Sequence, residues 1–317
     1  MELIDYNLLK ILFNFMEVLE INKFANLHDG EKIFFSHIDM CEKVFDEISK
    51  LDHNVILITG NHDTPVGRYT KDREEEFKHI NKIFDSVPKN VKYWFAQNNI
   101  TKKENIIPIP IGLMNSVDHF RREHGFGYDW TAERHNLLKE VYLNDNSAPS
   151  KFLYSNYSNR PNHRTVVKDI CKDYLGSEYE EPCLRYENYI SNVLDHECVM
   201  CPIGVGVDTY RLYEVLYCKR IPITVKVGKY GIKYCDSDYD ELSWCDTINC
   251  PPQDDEYPIY TDLYSKLPVV MLETLDELKD KEHLKKLIEE QKNKSWNKDL
   301  LDFNYWKQMI LDYKEKL

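Results

Sequence analysis

The chain has 317 residues, 42% of them apolar and 13% aromatic, with a formal net charge of −13. That length suits two domains of ordinary size, each with a real core. The acidic balance argues against nucleic acid or an anionic membrane as partner, since phosphate-rich surfaces need a basic face. A nucleotide ligand is not excluded, because one arginine and a helix N-terminus can hold a diphosphate locally.

Nine cysteines are scattered along the sequence, at 41, 171, 183, 198, 201, 218, 235, 245 and 250. An odd count in a chain of this size points to a reducing compartment. Cys198 and Cys201 have C-x-x-C spacing, but no second pair follows to complete a structural zinc site. The first residues carry Glu2, Asp5 and Lys10 rather than a secretory signal. No apolar run approaches the ~20 residues of a membrane span, so a soluble cytoplasmic protein is expected. The oligomeric state stays open.

Helical periodicity runs over residues 5–20, followed by a short strand at Lys32–Phe35 and a helix at Met40–Leu51. Val55–Thr59 is a continuous apolar run ending at Gly60, the pattern of a buried parallel strand. Glu74–Phe84 reads as a helix, Val91–Ala96 and Ile106–Ile111 as strands, and Thr131–Tyr142 as a helix. Asn144–Ser150 is polar and carries a proline, which predicts a linker. The alternation then restarts: strand Phe152–Tyr154, helices Arg164–Tyr174 and Tyr186–Leu194, strand Glu197–Cys201, and a strand opening at Pro222. Tyr230–Tyr260 is acidic and loop-like. Pro268–Leu272 predicts another strand, and helices are expected at Leu275–Trp296 and Asp302–Lys316. The pattern predicts an α/β protein of two facing Rossmann-like domains, residues 1–146 and 147–317, with the terminal helix packing back on the first. Ligands of such sheets sit at the carboxyl ends of the strands, so the site is expected in the cleft between the halves.

The richest segment is Cys201–Val225, CPIGVGVDTYRLYEVLYCKRIPITV. A strand leads into a turn with Gly204 and Gly206, and then into a helix expected to carry Asp208, Arg211 and Glu214. Glycines let a ligand approach the backbone and free the following amides for an anion. Arg211 and Glu214, three residues apart, share a helix face. The arginine can fork onto a diphosphate and the glutamate can accept from a ribose diol; a bare turn with a surface Arg–Glu pair is the plain alternative.

The pattern C-P-x-G-x-G-x-D-T-x-R-x-x-E-x-L-x-x-x-x-I-P-I resembles the donor-site signature of exostosin-like glycosyltransferases. The nearest type is the small soluble one of bacteria and large DNA viruses, related to xylosyltransferases. Ile58–Asp63, Trp94–Asn98, Pro108–Leu113, and Leu153–Asn156 with Arg164 fit the same resemblance in order. It implies a glycosyltransferase B-type fold, a UDP-sugar donor held by the second domain, a glycan acceptor and no required metal. By position, Gly204, Gly206, Asp208, Thr209, Arg211 and Glu214 would bind the donor, with Tyr154, Asn156 and Arg164 beside them. The chain departs from the pattern at Ile203, where relatives often have an arginine, and at Tyr210, where they often have histidine. Arg164 or Arg160 would then supply the missing phosphate contact.

Gly60-Asn61-His62-Asp63 also resembles the GNH[DE] signature of two-metal phosphoesterases. The other ligands of that chemistry are missing: His37-Ile38-Asp39 has the reverse order, and no G-H-x-H occurs. In a transferase the same loop would face the cleft, with Asp63 as the general base and His62 as its rival. Gln97 and Asn98 are expected on the acceptor side. Trp94 and Phe95 would either stack on a sugar or belong to the core, and Lys226 and Lys229 would either reach a phosphate or lie in solvent. A non-catalytic nucleotide- or glycan-binding relative is a further alternative.

Overall fold

The computed structural model describes residues 16–67, 78–114, 130–158, 163–180, 185–204, 206–226 and 257–317. In the first half, strands β1 (Ile33–Ser36), β2 (Val55–Thr59), β3 (Val91–Ala96) and β4 (Ile106–Pro108) form a parallel sheet in that order. Helix α1 (Cys41–Ile48) joins β1 to β2, and α2 (Lys78–Asp85) precedes β3. Every residue of β2 is buried, as its VILIT sequence requires of a central strand covered on both faces.

Helix α3 (Trp130–Asn144) leads to the second half. Residues 145–150, after the helical Asn144, have no regular structure. Here β5 (Lys151–Asn156), β6 (Glu178–Glu180), β7 (His196–Met200), β8 (Ile221–Val225) and β9 (Val270–Leu272) make a second parallel sheet, ordered β6-β5-β7-β8-β9. Its helices are α4 (His163–Leu175), α5 (Tyr186–Asp195), α6 (Tyr210–Tyr217), α7 (Lys281–Lys292) and α8 (Phe303–Lys314).

The terminal helix does return to the first sheet. Tyr313 of α8 packs edge-on against Tyr93 and Phe95 of β3, with ring centroids 4.7 and 5.3 Å away, and Lys314 pairs with Asp29 at 2.9 Å. Phe303 meets Phe24 at 5.2 Å. Tyr217 of α6 fastens both chain ends: it accepts from the Leu19 amide and donates to the Leu301 carbonyl. One apolar core therefore runs from β2 and β3 through Tyr213 and Tyr217 to Ile310, across both halves. A second core, with Leu153, Cys198, Ile223 and Leu284, fills the outer side of the second sheet.

Several boundaries differ from expectation. Residues 5–15 lie outside the described residues, and the helix expected there does not reach 16–20, where Val18 and Glu20 make strand-like bridges instead. The single helix expected over Leu275–Trp296 is broken, because Asp280 caps a new helix through the His283 amide. Most of Tyr230–Tyr260 lies outside the described residues; its end enters a turn of π-helix, Ile259–Leu263. Helix α6 starts only at Tyr210, so Asp208 precedes it and Thr209 takes the N-cap position.

Candidate functional site

In the second sheet β5 and β7 are neighbours, yet the chain between them visits β6 on the far side of β5. Such a reversal of direction is where sheets of this kind form a ligand crevice, beyond the carboxyl ends of β5 and β7. Asn156 ends β5 on one side, and the turn 201–204 follows β7 on the other. Two arginines from the first turns of different helices converge there.

Arg164, from α4, lays its guanidinium over the turn, with Nε donating to the Ile203 carbonyl at 2.9 Å and Nη2 to Pro202 at 3.4 Å. Gly204 permits this: a Cβ there would stand 3.1 Å from Arg164 Nη2. Arg211, from α6, reaches Asn156 Oδ1 at 3.5 Å and stands over the Tyr189 ring at 5.7 Å. Its Nε and the Asn156 Nδ2 are sealed from solvent without a hydrogen-bond partner, and Arg211 makes no ion pair among the described residues. Burial and the neighbouring Arg211 charge push Arg164 down to about 10, still protonated at neutral pH. Two crowded cations above a helix start that no side chain caps are a strong local attractor for an anion.

Glu214 lies one turn beyond Arg211. Its oxygens accept from Tyr186 at 3.1 Å and Tyr189 at 3.0 Å, both from α5, so the carboxylate is already held by phenols. Tyr154 is core rather than ligand surface, since it is buried and stacks on His196 at 5.0 Å. Lys226 pairs with Glu273 at 2.5 Å. Arg160 and Lys229 lie outside the described residues.

Across the crevice, the loop after β2 presents Asp63. The loop is tightly fixed. Asn61 adopts φ +60° and gives its amide to Gln97 Oε1 at 2.7 Å. His62 Nε2 meets Asp39 Oδ2 at 2.6 Å, and His62 Nδ1 accepts the Thr64 amide at 2.8 Å. Asn98 Nδ2 donates to the carbonyls of His62 and Asp63 at 3.3 and 3.4 Å. Gln97 and Asn98 are therefore buried loop supports, not acceptor contacts. The Asp63 carboxylate makes no hydrogen bond or ion pair among the described residues, and the residue keeps an open face to solvent. Surrounding protein pushes its carboxyl above the usual range, while His62 and Arg164 pull the other way. His62 is held above its ordinary value mainly by the Asp39 hydrogen bond.

Asp208 has a different role from the one expected. It is 3% exposed, and its two oxygens take four bonds: from the Ile111 amide (2.7 Å), Tyr213 (2.9 Å), Tyr264 (2.5 Å) and the Thr209 amide (3.0 Å). With Ile111 belonging to the first half, Asp208 ties the halves together and has nothing left for a ligand. Gly206 serves the same seam, since a Cβ there would come within 2.9 Å of both Asn98 Nδ2 and the Asp63 carbonyl. Its missing side chain lets the halves touch and does not open room for phosphate.

Trp94 and Phe95 are core residues, the indole donating to Thr59 Oγ1 at 2.8 Å. Cys41, Cys171, Cys198, Cys201 and Cys218 are free buried thiols, and the other four cysteines lie outside the described residues. No helix among the described residues is long and apolar enough to cross a membrane, and no three of their His, Cys, Asp or Glu side chains are placed to hold a metal. His62, with both ring nitrogens committed, is poorly suited to the phosphoesterase role. Tyr186, Tyr189 and Tyr264 shape the site without any local sequence signal, and Asp39 and Ile111 do so in roles that their motifs did not indicate. No protein-family model matches the chain, and no curated protein matches it.

Proposed function

We propose that the chain is an inverting glycosyltransferase of the two-domain B-type, taking a sugar from a nucleoside-diphosphate donor to a glycan hydroxyl. The observation that carries this reading is the convergence of Arg164 and Arg211 at the switch point, opposite the open carboxylate of Asp63. The diphosphate would lie against the guanidiniums and the start of α6. Asp63 would take the acceptor hydroxyl proton while that oxygen bonds to the anomeric carbon. The bond from that carbon to the diphosphate breaks on the opposite face, and its electron pair leaves with the nucleoside diphosphate. The charge developing there is what the two guanidiniums would stabilise, without need of a metal. UDP-xylose is the first donor to test, on the resemblance of residues 201–223.

The test is release of nucleoside diphosphate from a panel of nucleotide sugars, with and without EDTA. EDTA-insensitive release is expected, with Arg211→Ala losing donor affinity. Release that EDTA abolishes and manganese restores would count against the metal-free form. UDP binding without turnover of any donor would favour a non-catalytic relative.

A further inference from the structure

Beyond Asp63 lies a second polar group that the proposed reaction does not use directly. Asp39, in the turn after β1, holds His62 Nε2 at 2.6 Å, and His79 of α2 approaches its other oxygen at 3.7 Å. The opposite ring nitrogen of His62 accepts the Thr64 amide, so His62 spans from Asp39 to the residue just past Asp63. With both nitrogens engaged, His62 cannot also take a proton from an acceptor. We infer that Asp39 and His62 are a positioning pair that fixes the 60–64 loop and keeps Asp63 aimed across the cleft as the base. This deepens the transferase reading and rests on it for the word base; the pairing itself does not.

Protonation of His62 sets a second donor against the Thr64 N–H at Nδ1, so the Thr64 bond belongs to the neutral ring and the charge effects to the imidazolium. Asp39 is pulled below the ordinary carboxylate range, first by its His62 hydrogen bond and then by the charges of His62, His79 and His37. His62 is held up by Asp39, and its charge in turn opposes the upward pressure of burial on Asp63. The groups facing Asp63 are thus His62 on its own loop and Arg164 on α4, with Asp39, His37 and His79 behind His62. In its neutral form His62 is held with the proton on Nε2, because the Thr64 N–H points at Nδ1.

Two substitutions separate geometry from charge. Asp39→Asn keeps an oxygen for His62 Nε2 and removes the charge. Asp39→Ala removes both. In Asp39→Asn, carbon-13 NMR is expected to read His62 titrating at lower pH and Asp63 at higher pH than in the parent. The acidic limb of kcat should move to higher pH. Asp39→Ala should lose about tenfold to a hundredfold in kcat at every pH, the usual penalty for a loosened catalytic group. UDP affinity, measured by calorimetry, should change less than about twofold in either variant, since neither touches the arginines. Parent-like turnover in Asp39→Ala, or an unmoved Asp63 titration in Asp39→Asn, would overturn the inference. Should the parent neither bind UDP nor turn over any donor, the transferase reading fails, and the Asp63 and His62 titrations still decide the pairing.

Discussion

The Asp208 backbone amide donates to Asn98 Oδ1 at 2.8 Å, and the same Asn98 gives its Nδ2 to the carbonyls of His62 and Asp63. One fully buried amide side chain from the end of β3 therefore binds the candidate base loop of the first half to the glycine turn of the second. Its φ of +52° lies in the left-handed region, which asparagine tolerates better than most residues. The carboxyl ends of the two sheets are held at a set distance by this link, which is what a site shared between them requires.

Asn98→Asp tests the link with almost no change of shape. The acceptor to Asp208 N–H survives, but the donor facing two carbonyls becomes an acceptor, and a charge is buried. A loss of about 3–5 kcal/mol in unfolding free energy is expected in urea titrations. A loss below 1 kcal/mol would mean that the seam is not held by this residue.

Asp208 supplies a pH signature. Burial pushes its carboxyl up to about 6, against the four hydrogen bonds it accepts. The folded protein thus binds this proton more tightly than the unfolded chain. The sign follows: this group's contribution is most favourable below about pH 4 and is lost as pH rises to about 6, a change of about 3 kcal/mol at most. Asp208→Asn removes the titration and sets an amide donor against the Ile111 or Thr209 N–H. The variant should be less stable than the parent at neutral pH by about 2 kcal/mol. The difference should widen on acidification from pH 7 to pH 4.5. A difference independent of pH would show that Asp208 titrates normally.

How far these roles could be read beforehand depended on where the partners lie in sequence. The buried parallel strands announced themselves as apolar runs, VILIT and IPITV, because both faces are covered. Strand β6, three residues at a sheet edge with glutamates at both ends, has no such signature and went unforeseen. Arg164 and Arg211 stand at helix starts, so their convergence followed from alternating strands and helices. Asp208 could not be placed the same way. Its partners Asn98 and Ile111 are 110 and 97 positions away, and Tyr264 is 56 away, and nothing near DTYR encodes them. Local pattern made it a ligand contact; tertiary packing makes it a strut.

The two glycines of the turn should respond differently to alanine. At Gly206 the new Cβ meets Asn98 Nδ2 and the Asp63 backbone at 2.9 Å, and the backbone cannot easily yield. Gly206→Ala should cost about 2–3 kcal/mol of stability through overpacking at the seam. At Gly204 the Cβ meets only the end of Arg164, at 3.1 Å. Gly204→Ala should change stability by less than about 1 kcal/mol while weakening UDP binding, because the guanidinium must shift. Equal losses of stability in the two variants would sink this distinction.

The arginine pair should serve stability and binding together. Arg211 is crowded by Arg164, makes no ion pair among the described residues, and has an Nε without a partner. Burial is nevertheless outweighed by Tyr189 and Glu214, which hold its charge above the ordinary arginine value, so removing that charge leaves buried partners uncompensated and costs about 1–3 kcal/mol. Arg211→Met is therefore expected to lower the melting temperature of the free protein. Without the guanidinium fork, UDP should bind at least about tenfold more weakly, so the upward shift in melting temperature that saturating UDP gives the parent should shrink or vanish. Thermal melts with and without UDP measure both quantities on one sample. A variant that melts lower alone yet keeps the full UDP shift would assign Arg211 to structural support and leave Arg164 to hold the anion. Arg164→Met is the matching control: it relieves the repulsion that lowers Arg164 but gives up two bonds to the 202–203 carbonyls, so its free form should also melt no higher than the parent.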